Sequence, residues 1–250
     1  MRHTVPTPRA FATGGAHWID PASLIGQTDS HLCSSADTQR LGAQLHRDVV
    51  QPFLRLRDDA LAAGFDLRIF SGFRSLDRQS SIWNRKATGE LAVLDSRAVP
   101  LNIEHLNERE LVYAILRWSA LPGASRHHWG TDIDVYDENA RPSAYEIELI
   151  PEEVETGGMF APLHEWLDEK IAAGTVYGFF RPYDEDRQGV APARWHLSHA
   201  PVAAPCEKGL TTDILRATLS ASDLELKGTV LEHLEDIYQR FVINTNRNLS

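Results

Sequence analysis

Apolar positions along the chain switch between helical and strand rhythms without a regular βαβ order. Residues 1–35 are rich in Gly, Pro, Ser and Thr and predict an irregular arm. From Thr38 onward Leu41, Leu45, Val49, Phe53, Leu54, Leu56 and Leu61 recur near helical spacing, with a kink expected at Pro52 and an end at Gly64. FDLRIFSGF then alternates, which places Phe65, Leu67 and Ile69 on one face of a short strand. SLDRQSSIWNRKATG predicts a helix ending at Gly89, and NERELVYAILRWSALPG predicts another, stopped by Pro122 and Gly123.

TDIDVY alternates strictly, with Thr131, Ile133 and Val135 on one face and Asp132, Asp134 and Tyr136 on the other. An irregular segment, Glu138 to Gly158, separates it from APLHEWLDEKIAAG, a helix with Leu163, Trp166, Leu167 and Ile171 on one side. ARWHLSHAP lies between Pro192 and Pro201 and predicts a strand, Trp195 and Leu197 facing one way and Arg194, His196 and Ser198 the other. Two helices follow from Leu210 to Phe241, broken around Ser220–Ser222. Leu231, Leu234 and Ile237 form an apolar stripe on the second that fits either a cap on the domain or a dimer contact. Mixed helices and short strands predict an α+β fold, organised as an N-terminal arm (1–37), a main domain (38–207) and a C-terminal helical hairpin (208–250).

Composition narrows the function classes. A hydrophobic fraction of 42% with 24% charged residues describes a folded chain rather than a disordered one. The net charge of −10, uninterrupted by any basic run, argues against a general nucleic-acid binder. No apolar run approaches the roughly 18 residues of a membrane span, and MRHTVPTPRAFATGGAHWIDP lacks the apolar stretch of a secretory signal. Cys33 and Cys206 are too few for a disulfide scaffold; they either pair or stay free, and the N-terminus favours free thiols.

Chemistry concentrates in SRHHWGTDIDVYD, residues 125–137. A tight turn at Gly130 can fold His127 back over the polar face of the strand, where it and Asp134 can meet one ion, while His128 points elsewhere. In the last strand His196 and His199 lie on opposite faces and do not share an ion. A catalytic zinc takes three mixed N and O ligands and leaves a position open, a set that His127, Asp134 and His196 would complete. From spacing alone, an ordinary hydrogen-bonded His–Asp pair accounts for the same residues equally well. In IFSGFRS, Arg74 stands at the mouth of a helix, placed either to clamp a carboxylate or oxyanion or to form a surface salt bridge.

Taken together, SGFRS, SRHHWGTDID and RWHLSHAP occur in an order that resembles the zinc-dependent D,D-carboxypeptidase and dipeptidase family of peptidoglycan enzymes, the VanY and VanX type. The family pattern is S-G-[FY]-R-S, then S-x-H-x-x-G-x-x-x-D, then E-x-W-H. The resemblance spans about Leu41 to Pro201 and leaves the last forty or so residues outside it. It implies a small antiparallel sheet carrying a zinc bound by His127, Asp134 and His196, with Arg74 holding an oxyanion or substrate and Ser125 and Trp195 lining the site. It further implies peptidoglycan stem peptides or muropeptides as substrates, a bacterial source and a periplasmic or envelope location, with the cytoplasm as the alternative. The motifs do not separate D,D- from L,D-carboxypeptidase, dipeptidase or endopeptidase action.

One position departs. The family's general-base glutamate, three residues before the last histidine ligand, is Ala193 here. Loss of a general acid–base group costs roughly 10²- to 10⁴-fold in rate, so the chain as written is expected to be inactive or very slow. In order of preference, it is an engineered inactive variant of an active enzyme, a natural relative that binds zinc and peptide without turnover, or an enzyme using Asp132, Glu185 or Asp186 instead. The rivals are a binding module of the hedgehog type and a metal-free interaction protein.

Overall fold

Four short strands carry the residues singled out above. In the computed structural model, which describes residues 20–246, β1 (Leu67–Ser71), β2 (Asp132–Asp137), β3 (Phe179–Phe180) and β4 (His196–His199) form one antiparallel sheet in the order β1-β2-β4-β3. The period-2 pattern of β2 is realised: Ile133 and Val135 are buried with Leu67, Ile69 and Leu197 in one core. Asp132 and Asp134 therefore share the other face. The β2–β4 register, Asp134 opposite His196 and Asp132 opposite Ser198, is the one that matters for chemistry, because a one-residue slip would turn both aspartates into the core.

Eleven α-helices surround the sheet among the described residues. They are α1 (Pro21–Leu24), α2 (Ser35–Leu41), α3 (Val50–Ala62), α4 (Leu76–Ala87), α5 (Glu108–Trp118), α6 (Pro151–Val154), α7 (Ala161–Ala172), α8 (Ala200–Gly209), α9 (Thr212–Ser220), α10 (Lys227–Glu232) and α11 (Leu234–Ile237). The apolar face of the sheet packs on α3 and α7 through Phe53, Leu54, Leu56, Leu163 and Leu167. This is an α+β fold, as the mixed rhythms predict. No helix among the described residues is long and apolar enough to cross a membrane.

Several expectations need correcting. The helix predicted from Thr38 through Leu61 is two helices, because Gly42 leaves α2 in the left-handed region at φ 75°. Pro52 causes no kink. It sits in the first turn of α3, where its missing N–H leaves no bond unmade. Within the arm, residues 20–37 hold α1 and the start of α2 rather than irregular chain; the rest of it lies outside the described residues. The expected second C-terminal helix is divided into α10, α11 and a π-helical turn over Tyr238–Val242. Val230, Leu234 and Ile237 are covered by Trp83 of α4 and by Leu111, Val112 and Ile115 of α5, whereas Leu231 is only partly buried. The C-terminal helices thus cap the main body with their apolar stripe. Both cysteines are free.

Candidate metal centre

The turn that brings His127 over the sheet is a single 3₁₀ turn, Arg126–Trp129, stopped by Gly130 at φ 66°. Only glycine fits. A Cβ at Gly130 would lie 2.6 Å from the His46 nitrogen and 2.8 Å from Leu32 Cδ2. Gly130→Ala is therefore expected to destabilise the protein by about 1–3 kcal/mol, read as a lower denaturant midpoint at unchanged slope.

Both histidine candidates are oriented by a contact outside the triad. His127 Nδ1 donates to the Gly72 carbonyl at 2.8 Å, which leaves Nε2 facing Asp134 Oδ2 at 3.4 Å. His196 Nδ1 lies 3.0 Å from Asp134 Oδ1, and the two imidazole rings meet edge-on with centroids 5.0 Å apart. One ligand atom from each of His127, Asp134 and His196 falls within 4.8 Å of the others, and all three residues are buried. Tetrahedral ligands about 2.1 Å from one ion stand roughly 3.4 Å apart, so this donor set would hold a zinc-sized ion once its widest gap, within 4.8 Å, closes around it. Burial, with the charges of Arg74 and His196 beside it, pushes the His127 imidazole down to about 4, the neutral form a metal requires.

Behind the triad lies a filled polar network. Asp132 Oδ1 accepts from His196 Nε2 at 2.9 Å and Arg126 Nε at 2.8 Å. Its Oδ2 accepts from the Thr131 and Ser198 hydroxyls at 2.6 and 3.0 Å. Arg126 also reaches the Ser198 hydroxyl at 2.8 Å and Glu207 of α8 at 3.1 Å. Burial works to raise the Asp132 carboxyl, but the Arg126 charge and the bond from His196 hold it well below the usual carboxylate range. For His196 burial opposes the charged form, yet bonds to Asp132 and Asp134 push it up to about 9. Arg126 and Glu207 carried no signal for this role in the sequence. For Ser198 a signal existed, since its alternation with His196 puts it on the same strand face.

Within SRHHWGTDIDVYD, His128 and Asp137 are structural. His128 Nδ1 donates to the Arg74 carbonyl at 2.6 Å and its Nε2 accepts from Gly123 N–H at 3.1 Å, so it points away from the triad and fixes the Arg74 backbone. Asp137 accepts from the amides of Asp66 and Asn139. His199 lies edge-on against Phe179 and does not line the cleft, as strand alternation predicts.

A cleft opens over the triad, and Arg74, Ser125, Ala193 and Trp195 line it with the three ligand candidates. Arg74 forms no surface salt bridge. Its guanidinium donates to Gln79 Oε1 at 2.9 Å and to the Ser71 hydroxyl at 3.1 Å. Trp195 does not face away from His196 as a strand would require, because Arg194–Trp195 form a turn and β4 starts only at His196. That turn leaves Trp195 stacked near Trp118, at 6.3 Å, on the same cleft. Ala193 is held by the Tyr183 carbonyl at 2.9 Å, and its own carbonyl accepts from His196 N–H at 3.0 Å.

None of the stand-in acids reaches the cleft. Asp132 is consumed by its network, Glu185 pairs with Arg187 and Asp186 pairs with Arg117. Among the described residues, Asp134 and Glu148 are the acids on the cleft wall. Glu148 sits in the irregular segment, where the buried Glu153 carboxylate accepts from the amides of Glu148, Leu149 and Ile150 and holds 148–149 over the cleft.

Comparison with known proteins identifies the family. The VanY family, described as D-alanyl-D-alanine carboxypeptidase, matches residues 42–202. Two uncharacterised proteins of Haemophilus influenzae strain Rd are similar: one is 29% identical over 125 residues, 49% of this chain and 93% of the relative. The other is 37% identical over 103 residues, 41% of this chain and 70% of the relative. Among solved structures, VanYB in complex with D-alanine-D-alanine superposes with a TM-score of 0.48 at 19% identity, covering 78% of this chain and 92% of that one. A mutant of the vancomycin-resistance D,D-pentapeptidase VanY in complex with Zn(II) gives 0.48 at 21%, covering 76% and 91%. With more than half of its length matched by the family and the motif residues gathered at one cleft, the chain belongs to the VanY D-alanyl-D-alanine carboxypeptidase family.

Proposed function

We propose that this chain holds zinc through His127, Asp134 and His196 and receives peptidoglycan stem peptides in the cleft above them, as a D,D-carboxypeptidase that turns over very slowly because residue 193 has no carboxylate. The observation that carries the reading is the convergence of three oriented donors beside Arg74, with an alanine on the same wall. In this reading residues 38–207 are the peptidase domain, 1–37 its arm and 208–250 its helical appendage, and the protein works in the periplasm or envelope, where its substrate lies.

The chemistry a bound zinc supplies is Lewis-acid polarisation of the scissile carbonyl and acidification of water. The chain's own residues supply the rest. Arg74, clamped by Gln79 and Ser71, presents a guanidinium to charge developing on the carbonyl oxygen. Ser125 and Trp195 shape the walls. What is missing is a group to take the proton from water and return it to the leaving amine, and a methyl side chain cannot. A complete apparatus around one absent group matches a substituted variant of an active enzyme. The same cleft without a base also fits the second reading, a relative that binds zinc and peptide without turnover.

Elemental analysis is expected to find one zinc per chain in protein purified without added metal, and none in His196→Ala. Absence of zinc from the unsubstituted chain would overturn the metal assignment.

A further inference from the structure

The cleft carries more positive charge than the protein neutralises. Lys86, in the last turn of α4, lines it together with Arg74, which stands just before the first residue of the same helix. Helical side chains lean toward the N-terminus, so the Lys86 stem extends in the direction of Arg74. The two charges feel each other: burial, then the Arg74 guanidinium, depress the Lys86 ammonium. The Lys86 ammonium forms no hydrogen bond or ion pair with any described residue. Arg74 contacts only neutral oxygens, whereas Arg126, on the same wall, is neutralised by Asp132 and Glu207. Of the acids on the cleft, Asp134 is engaged with the two histidines and Glu148 is exposed and pairs with neither cation.

Arg74 shares the charge of Asp134 with two histidines, and no acid acts on the half-buried Lys86, an arrangement that is unfavourable until a ligand supplies a counter-charge. Resting on the function proposed above, we infer that Lys86 is the residue that reads the free C-terminal carboxylate of the peptide, while Arg74, bonded through its amide to the His127 carbonyl, attends the scissile carbonyl. The next backbone group of a bound peptide lies only about 3.3–3.6 Å further along per residue, which suits a second cation near the first. A peptide continuing past the scissile bond brings no charge to Lys86. Its ammonium thereby selects removal of a terminal residue over internal cleavage.

The test is titration calorimetry of the full chain with diacetyl-L-Lys-D-Ala-D-Ala and with its C-terminal amide. The unsubstituted protein is expected to bind the acid about 10- to 100-fold more tightly, the range of a bond to a charged group. Lys86→Gln should bring the acid down to the affinity of the amide and leave the amide unchanged, and Lys86→Arg should retain the preference. Equal binding of acid and amide, a preference that survives Lys86→Gln, or no binding of either peptide overturns the assignment. Zinc content of the same samples judges the metal reading separately: zinc without carboxylate preference sinks Lys86 alone, and carboxylate preference without zinc sinks the metal alone.

Discussion

Ala193→Glu is expected to raise hydrolysis of a D-Ala-D-Ala peptide by about 10²- to 10⁴-fold, the usual contribution of a positioned acid–base group. The site is prepared for it. Residue 193 is pinned at both backbone groups, by the Tyr183 carbonyl and the His196 amide, so a new side chain there starts from a fixed point beside a ligand candidate. Ala193 belongs to a small buried cluster with Trp195, against which Leu149 and Tyr183 pack, and it lines the cleft, so a carboxylate there would share a wall with the three donor candidates. Zinc content should not change, because the acid is not one of the three donors. Steady-state kinetics of the two proteins decide the matter. Equal rates would mean that position 193 is not the seat of the base. The next residue to test would then be Glu148, the other acid on the cleft wall among the described residues.

Much of this site was legible in the sequence, for identifiable reasons. Strict alternation in TDIDVY fixes which aspartates share a face, and strand geometry allows no other arrangement once Ile133 and Val135 enter the core. The glycine after HHW announces a turn, and the turn dictates that His127 and not His128 covers the strand. What failed were features whose meaning depends on where an element begins. Pro52 resembles a mid-helix kink until α3 is known to start at Val50. Trp195 seems to oppose His196 until β4 is known to start one residue later. Other residues carried no local signal. Lys86 reads as an ordinary cation at a helix end, Glu148 as loop polarity and Glu207 as a helix surface acid. The fold alone delivers Lys86 and Glu148 to the cleft, and it brings Glu207 to Arg126 across 81 residues.

Asp132→Ala is expected to cost about 3–5 kcal/mol of stability, the range for removing one partner of a buried ion pair. Arg126 and Asp132 are almost without solvent contact, so the mutant would leave a guanidinium buried beside an empty space. Glu207 and Ser198 still hold Arg126, which places the effect toward the lower end. Chemical denaturation at neutral pH measures it. The sign of its pH dependence follows from the depressed carboxyl of Asp132. Its stabilisation is complete above the unfolded carboxylate value, about 3.9, and is lost as pH falls through the lower folded one, so the gap between the two proteins should close in strong acid. The same substitution frees His196 Nε2 from the acceptor that fixes its tautomer with Nδ1 turned to Asp134. Loss of such a partner typically lowers metal affinity 10- to 100-fold, measurable by competition with a zinc chelator. Asp132→Asn separates the two effects, since an amide oxygen can still accept from Nε2 but cannot neutralise Arg126. It should keep most of the zinc affinity and lose most of the stability. If instead Asp132→Ala binds zinc as tightly as the parent, the β4 backbone and Asp134 alone orient His196, and the buried network serves the fold and not the metal.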